Sequence, residues 1–174
     1  MKKLILMAIM LVGIGMTASA QNTNFGIGLN LGYGSEVSKP SIGVKALYDI
    51  NEQFTVAPSF NYYFQEKFEL LGVETKQTCW DLNLDVHWNF HNQEKYRLYP
   101  LVGVSYFNVK ASAGADFGSL DIEYSDSEGK VGVNLGFGGQ LALTENLAAT
   151  AEVKYQIISD FNQFVPSLSL IYKF

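Results

Sequence analysis

Trp80-Asp81-Leu82-Asn83-Leu84-Asp85-Val86-His87-Trp88-Asn89-Phe90 alternates without a break. Trp80, Leu82, Leu84, Val86, Trp88 and Phe90 occupy the even positions, and Asp81, Asn83, Asp85, His87 and Asn89 the odd ones. Successive side chains of a β-strand point to opposite faces. The stretch therefore predicts a strand with one wholly apolar face and one wholly polar face. Trp80 and Trp88 stand eight residues apart on the apolar face. In a strand tilted near 40° they would be separated by roughly 20 Å along a membrane normal, close to the ~25 Å apolar band that aromatic girdles flank.

Seven further runs show the same period. Phe25, Ile27, Leu29, Leu31 and Tyr33 form the first, and Ile42, Val44, Ala46, Tyr48 and Ile50 the second. Phe54, Val56, Pro58, Phe60, Tyr62 and Phe64 precede the quoted strand. After it come Leu98 to Tyr106 (a weaker alternation), Val131 to Leu143, Leu147 to Ile157 and Pro166 to Phe174. The expectation is an all-β chain with eight antiparallel strands, each near the length a tilted strand needs to cross a bilayer. Connections after strands two, four and six are short: Asn51-Glu52, 91–95 and 144–146. Those after the odd strands tend to be longer, with loops expected at 65–77 and 111–129. Short turns on one rim and long loops on the other is the asymmetry of an outer-membrane barrel, with both chain ends on the short-turn, periplasmic rim. The segments around Asn51 and Thr144 read as one turn design used twice.

A soluble eight-stranded barrel also alternates, with its apolar set inside. Side-chain volume separates the two. The apolar set holds both Trp and most of the Phe, Tyr, Leu and Val, whereas the other set is dominated by Gly, Ser, Asn and Ala with a few charges. An eight-stranded interior is just wide enough for side chains to fill it, so the large set would overfill it. The apolar set also contains no Asp, Glu, Lys or Arg. A soluble exterior has no reason to avoid charge; a lipid-facing one does, at roughly 2–4 kcal/mol for Arg or Lys near mid-membrane.

Composition agrees. A chain of 174 residues, 14% aromatic and with 16 Gly, allows one β-rich domain. Residues 1–20 read as a secretory signal: Lys2 and Lys3 start it, an apolar core from Leu4 to Val12 follows, and Ala18-Ser19-Ala20 is the small-residue cleavage pattern. The barrel domain is expected over 21–174. Beyond residue 20 no apolar run approaches the roughly 20 residues of a spanning helix. Without Lys2 and Lys3, ten basic residues face 17 acidic ones, a net charge of −7. That balance argues against a nucleic-acid partner. Cys79 is the one cysteine, so no internal disulfide forms.

On these features the chain resembles small outer-membrane β-barrel proteins of the OmpA transmembrane-domain and OmpX type, including the porin-family barrels of Bacteroidetes-like bacteria. The terminal alternation Leu168, Leu170, Tyr172, Phe174 is the most specific part; it looks like the signal read by the barrel assembly machinery. The resemblance implies a bacterial outer-membrane location and partners in periplasmic chaperones, that machinery, outer-membrane lipids and lipopolysaccharide. It also implies extracellular loops whose ligand is unknown.

No catalytic, cofactor-binding or metal site is expected. The lumen face carries Lys45, Asp81, Asp85, Arg97, Glu152 and Lys154, which are expected to pair and close a narrow interior. An ion path or gate is the alternative reading. Asp81 and Asp85 lie about 13 Å apart by strand rise, too far to act on one bond. His87 and His91 would need a third ligand to hold a metal. Both fall near the periplasmic rim, so the outward end, where barrel enzymes act on lipid, has no His. Cys79 reads as a small buried residue. Asp116, Asp121, Glu123, Asp126 and Glu128 read as a solvated acidic loop, with divalent cation binding or adhesion as the functional alternative.

Overall fold

The structure is a computed structural model that describes residues 24–64, 67–70, 73–93, 95–116, 121–159 and 161–174. Within these, residues 67–70, 73–77, 92, 111–116 and 121–126 are described as backbone. The expected signal segment lies outside the described residues.

Eight long strands follow one another: β1 Phe25–Gly34, β2 Lys39–Asp49, β3 Phe54–Tyr63, β4 Val73–Trp88, β5 Tyr96–Asp116, β6 Asp121–Ala142, β7 Leu147–Ile158 and β8 Phe161–Lys173. Each pairs antiparallel with its sequence neighbours. β1 also pairs with β8, from Gly26↔Lys173 to Gly32↔Ser167, so the sheet closes on itself. Closure satisfies the backbone donors and acceptors that an open edge would expose. At the seam Phe174 N–H donates to Phe25 O (3.0 Å), and the two rings stack with centroids 5.9 Å apart.

Both short turns foreseen as copies have one hydrogen-bond pattern. Ile50 and Asn51 N–H both donate to Phe54 O, and Leu143 and Thr144 N–H both donate to Leu147 O. In each, a side-chain oxygen caps the same amide three residues on: Asn51 Oδ1 accepts from Phe54 N–H (2.8 Å) and Thr144 Oγ1 from Leu147 N–H (3.0 Å). Asx and Ser/Thr side chains favour turns because they can make this local bond. The β1–β2 turn contains Ser38 at φ 52°, the left-handed region.

The two long loops are not loops along their described backbone. Lys67–Leu70 pairs with the start of β4, from Lys67↔Lys76 to Leu70↔Val73. β5 and β6 stay paired to Asp116↔Asp121. Hydrophobic alternation needs two different media on the two faces of the sheet. Where both faces meet water, backbone pairing continues but the sequence signal disappears.

Facing follows the alternation. Leu29, Leu31, Val44, Leu84, Val104, Phe137 and Leu168 all point outward and are exposed. Asn30, Asn61, Asn83, Asn134 and Gln156 point inward and are buried. This is the inverse of a water-soluble barrel and fits an exterior made for hydrocarbon. Aromatic rings gather at both margins of the apolar band. Trp80 packs between Phe60 and Tyr106 (6.0 and 5.6 Å) toward the long-hairpin rim. Trp88 pairs with Phe54 near the short-turn rim, where Tyr172 meets Phe174. The interior is not uniformly small and polar, however. Tyr63, Cys79, Phe107 and Ile158 form an apolar cluster toward the long-hairpin rim, joined by Val37, Val109 and Phe161. Leu47, Ala57 and Ile171 form a second toward the other rim. The weak alternation of β5 has this cause: Tyr99, Leu101 and Phe107 are large but face inward.

Candidate functional site

The inward faces of the strands build one buried polar system, and it is the candidate site. Lys45 on β2 and Glu152 on β7 form an ion pair across the lumen, both side chains nearly fully buried. Tyr99 OH donates to the other oxygen of Glu152 (2.9 Å). The His87 ring stacks flat on Tyr99, with centroids 4.2 Å apart and 4° between planes, and its Nε2 lies 3.8 Å from Glu152. On the next level Lys154 Nζ meets Asp85 Oδ2 at 3.0 Å, and Asn134 Nδ2 donates to Asp85 Oδ1 at 2.7 Å.

Amide side chains extend the system. Asn134 and Gln156 both donate to Asn83 Oδ1 (3.0 and 2.9 Å), and Gln163 donates to Gln156 Oε1 (2.7 Å). Asn83 donates to Asp81 (2.7 Å), which also accepts from Asn61 (2.8 Å) and Tyr63 OH (2.7 Å). Asn30 donates to Asn61, and Ser169 OH donates to Asn30. Asp81 thus has three neutral donors, while Asp85 and Glu152 each have an ammonium. A buried charge needs partners of this kind because desolvation would otherwise cost several kcal/mol.

Glycines make the room. A Cβ on Gly103 would stand 2.2 Å from Asp85 Oδ1 and 2.5 Å from Leu84 O. On Gly138 it would stand 2.6 Å from Glu152 Cγ and 2.9 Å from Tyr99. The Gly-rich polar face therefore leaves the lumen width to long charged side chains.

Arg97 sits apart, near the short-turn rim. Its Nη1 donates to Asp49 Oδ2 (2.8 Å), Thr55 OH donates to Asp49 Oδ1 (2.5 Å) and Asn89 Nδ2 donates to Thr55 Oγ1 (3.0 Å). Outside this pair lies a cavity of about 350 Å³ lined by Glu52, Gln93, Lys95, Tyr96, Arg97, Gln140, Ala142 and Lys173.

All six lumen charges foreseen from the sequence face inward, five of them inside the network and Arg97 at the mouth. Asp81 and Asp85 have separate partners and do not act as a pair. His87 and His91 are not brought together: His87 lies on Tyr99, and His91 lies on Tyr96, with Nε2 3.2 Å from its hydroxyl. Cys79 is buried in the apolar cluster of the interior. Of the acidic loop, Glu128 carries an ion pair with Lys130 (3.3 Å); the side chains of Asp116, Asp121, Glu123 and Asp126 lie outside the described residues. Sequence reasoning did not single out His87 and Tyr99 as members of the network, or Asp49 as the partner of Arg97 at the mouth, although each shares the inward parity of its strand.

The comparisons agree with this geometry. The N-terminal barrel domain of Pseudomonas aeruginosa OprF superposes with a TM-score of 0.62 at 18% identity, covering 88% of this chain and all (100%) of that one. Ail, the attachment invasion locus protein of Yersinia pestis, gives 0.58 at 20% identity over 86% of this chain and 96% of that one. Neisserial surface protein A gives 0.56 at 18% identity over 87% and 97%. At these identities the likeness shows the fold. No curated protein matches the sequence. A model of one family matches residues 4–174, nearly the whole chain. With its closed eight-stranded sheet and apolar exterior, the chain belongs to the outer membrane protein β-barrel domain family, and its place is the bacterial outer membrane.

Proposed function

We propose that this barrel is a structural and interaction element of the outer membrane, with a closed lumen and with its long hairpins presented to the cell exterior. The observation that carries the closed lumen is the buried network itself. Side chains from all eight strands meet there: Asn30, Lys45, Asn61, Asp81, Asp85, Tyr99, Asn134, Glu152, Lys154 and Ser169, joined largely by hydrogen bonds between strands that are not neighbours in the sheet. Opening a path for ions would break several charge-assisted bonds at once and leave charges unpaired. The apolar cluster around Tyr63 and Phe107 narrows the lumen further.

The interaction half rests on the hairpins. β5 and β6 remain paired for the ten rungs from Phe107↔Lys130 outward to Asp116↔Asp121, while β6 pairs with β7 only from Gly132 inward. β4 also stays paired with β5 out to Val73↔Ala115, so an extension of the sheet built on β4, β5 and β6 rises beyond the β7 side of the wall. Lipopolysaccharide and neighbouring surfaces are the partners within its reach. The short-turn rim then faces the periplasm, and chaperones and the assembly machinery are the partners during biogenesis.

Recording from planar bilayers tests the lumen. The protein is expected to give no steady conductance. Steady conductance that disappears in a Lys45→Met or Asp85→Asn variant would establish a pore instead. No lipid-modifying activity is expected; a reproducible change of acyl content in mass spectra of lipid A when the protein is expressed would make it an enzyme.

A further inference from the structure

The cavity at the short-turn mouth has a charge opposite to that of the chain. Lys95, Arg97 and Lys173 line it with one described carboxylate, Glu52, whereas the whole chain carries −5. Among the described residues, Lys95 and Lys173 take part in none of the ion pairs, whereas Arg97 pairs with Asp49. Arg97 gives Nη1 to Asp49 and has further N–H donors left. Gln93 and Gln140 add amide donors to the same walls.

Most of the strand residues that line the cavity face inward, and Tyr96 alone among them has the outward parity of β5. Arg97, Gln140 and Lys173 have the inward parity of β5, β6 and β8. The next inward residues of β5 and β8, Tyr99 and Ile171, are buried, as is Leu47 beside Asp49 on β2. These close the cavity toward the lumen. Lipid headgroups meet the opposite face of the strands, so the cations serve a solute that enters from the aqueous side. About 350 Å³ lies within the range of small-ligand pockets. Two ammonium groups and a planar guanidinium converging on one space recognise oxyanions.

We propose that this cavity binds a small soluble oxyanion with two or more negative charges, of the phosphate or carboxylate class. The site is separate from the lumen network and does not depend on whether the lumen conducts.

The test uses the full barrel in phosphatidylcholine nanodiscs at low salt, titrated separately with pyrophosphate and with citrate. Calorimetry and amide NMR shifts at Gln140 and Lys173 follow binding. Saturable binding of either probe at one site is expected, weakened about tenfold or more in the double variant K95Q/K173Q. Glu52→Gln is expected to tighten it about twofold, which loss of fold could not do. Unchanged heat-modifiable migration on gels shows that both variants keep the barrel. The difference between pyrophosphate and citrate tells which oxyanion class is preferred. Binding that does not saturate, or that the double variant leaves intact, overturns the proposal. Shifts that appear only when phosphatidylglycerol replaces phosphatidylcholine also overturn it, because the cations would then serve the membrane surface.

Discussion

Glu152 is the residue on which most of the interior depends. It accepts from Lys45 and Tyr99 and stands beside His87. Glu152→Gln leaves the buried Lys45 ammonium without a counter-charge and should cost about 3–5 kcal/mol in unfolding from phospholipid vesicles. Pairing it with Lys45→Met should recover part of that loss, because the orphaned charge goes too. A double-mutant cycle measures the coupling. Gly103→Ala should destabilise by about 1–3 kcal/mol in the same assay, since its Cβ cannot fit beside Leu84 O and Asp85 without a backbone shift. How far these residues could be read in advance depends on what alternation contains. Parity places Lys45, Asp85, Glu152 and Lys154 on the inner face. It does not say that Lys45 meets Glu152, 107 residues away and on a strand that is not its neighbour. Such partners follow from barrel diameter and side-chain reach, which no single strand encodes. Asp49 was passed over for a similar reason: its partner Arg97 lies 48 residues on, beyond the turn it precedes.

At the scale of elements, each strand has two different solvents, and substitutions should divide accordingly. Leu84 lies midway between Trp80 and Trp88 on the outer face of β4. Leu84→Arg should cost about 2–4 kcal/mol, and Trp88→Arg, near the interface, about 0–1 kcal/mol beyond the loss of the ring. Unfolding of both from vesicles of one lipid composition checks the depth dependence. The two copied turns should differ in degree: Thr144→Ala removes the cap on the Leu147 amide and should cost about 0.5–1.5 kcal/mol, and Asn51→Ala, which removes the acceptor of both the Gln53 and Phe54 amides, should cost more. The strand cores and both turns were legible from sequence because burial and turn chemistry act locally. The pairing of 67–70 with 73–76 and of 108–116 with 121–129 was not. Outside the membrane, Gly, Ser, Asp and Glu serve both faces equally well, and backbone bonds hold the register unaided.

For the whole molecule, side-chain volume and charge on the two faces of the strands suffice to decide which face meets lipid. An even number of strands makes the closing pair β1–β8 antiparallel like the other pairs. That seam has a kinetic meaning. β1 and β8 are the strands farthest apart along the chain, so their contact has the largest loop-closure entropy against it and forms late. Every intermediate that lacks it has two raw edges, and in hydrocarbon each unpaired amide costs several kcal/mol. Stepwise entry into lipid, one hairpin at a time, is therefore uphill until the final strand docks. Removing residues 161–174 should abolish the heat-modifiable species altogether and not yield a seven-stranded remnant. Entry into the membrane is in this sense a single commitment, made only once the last strand has reached the first.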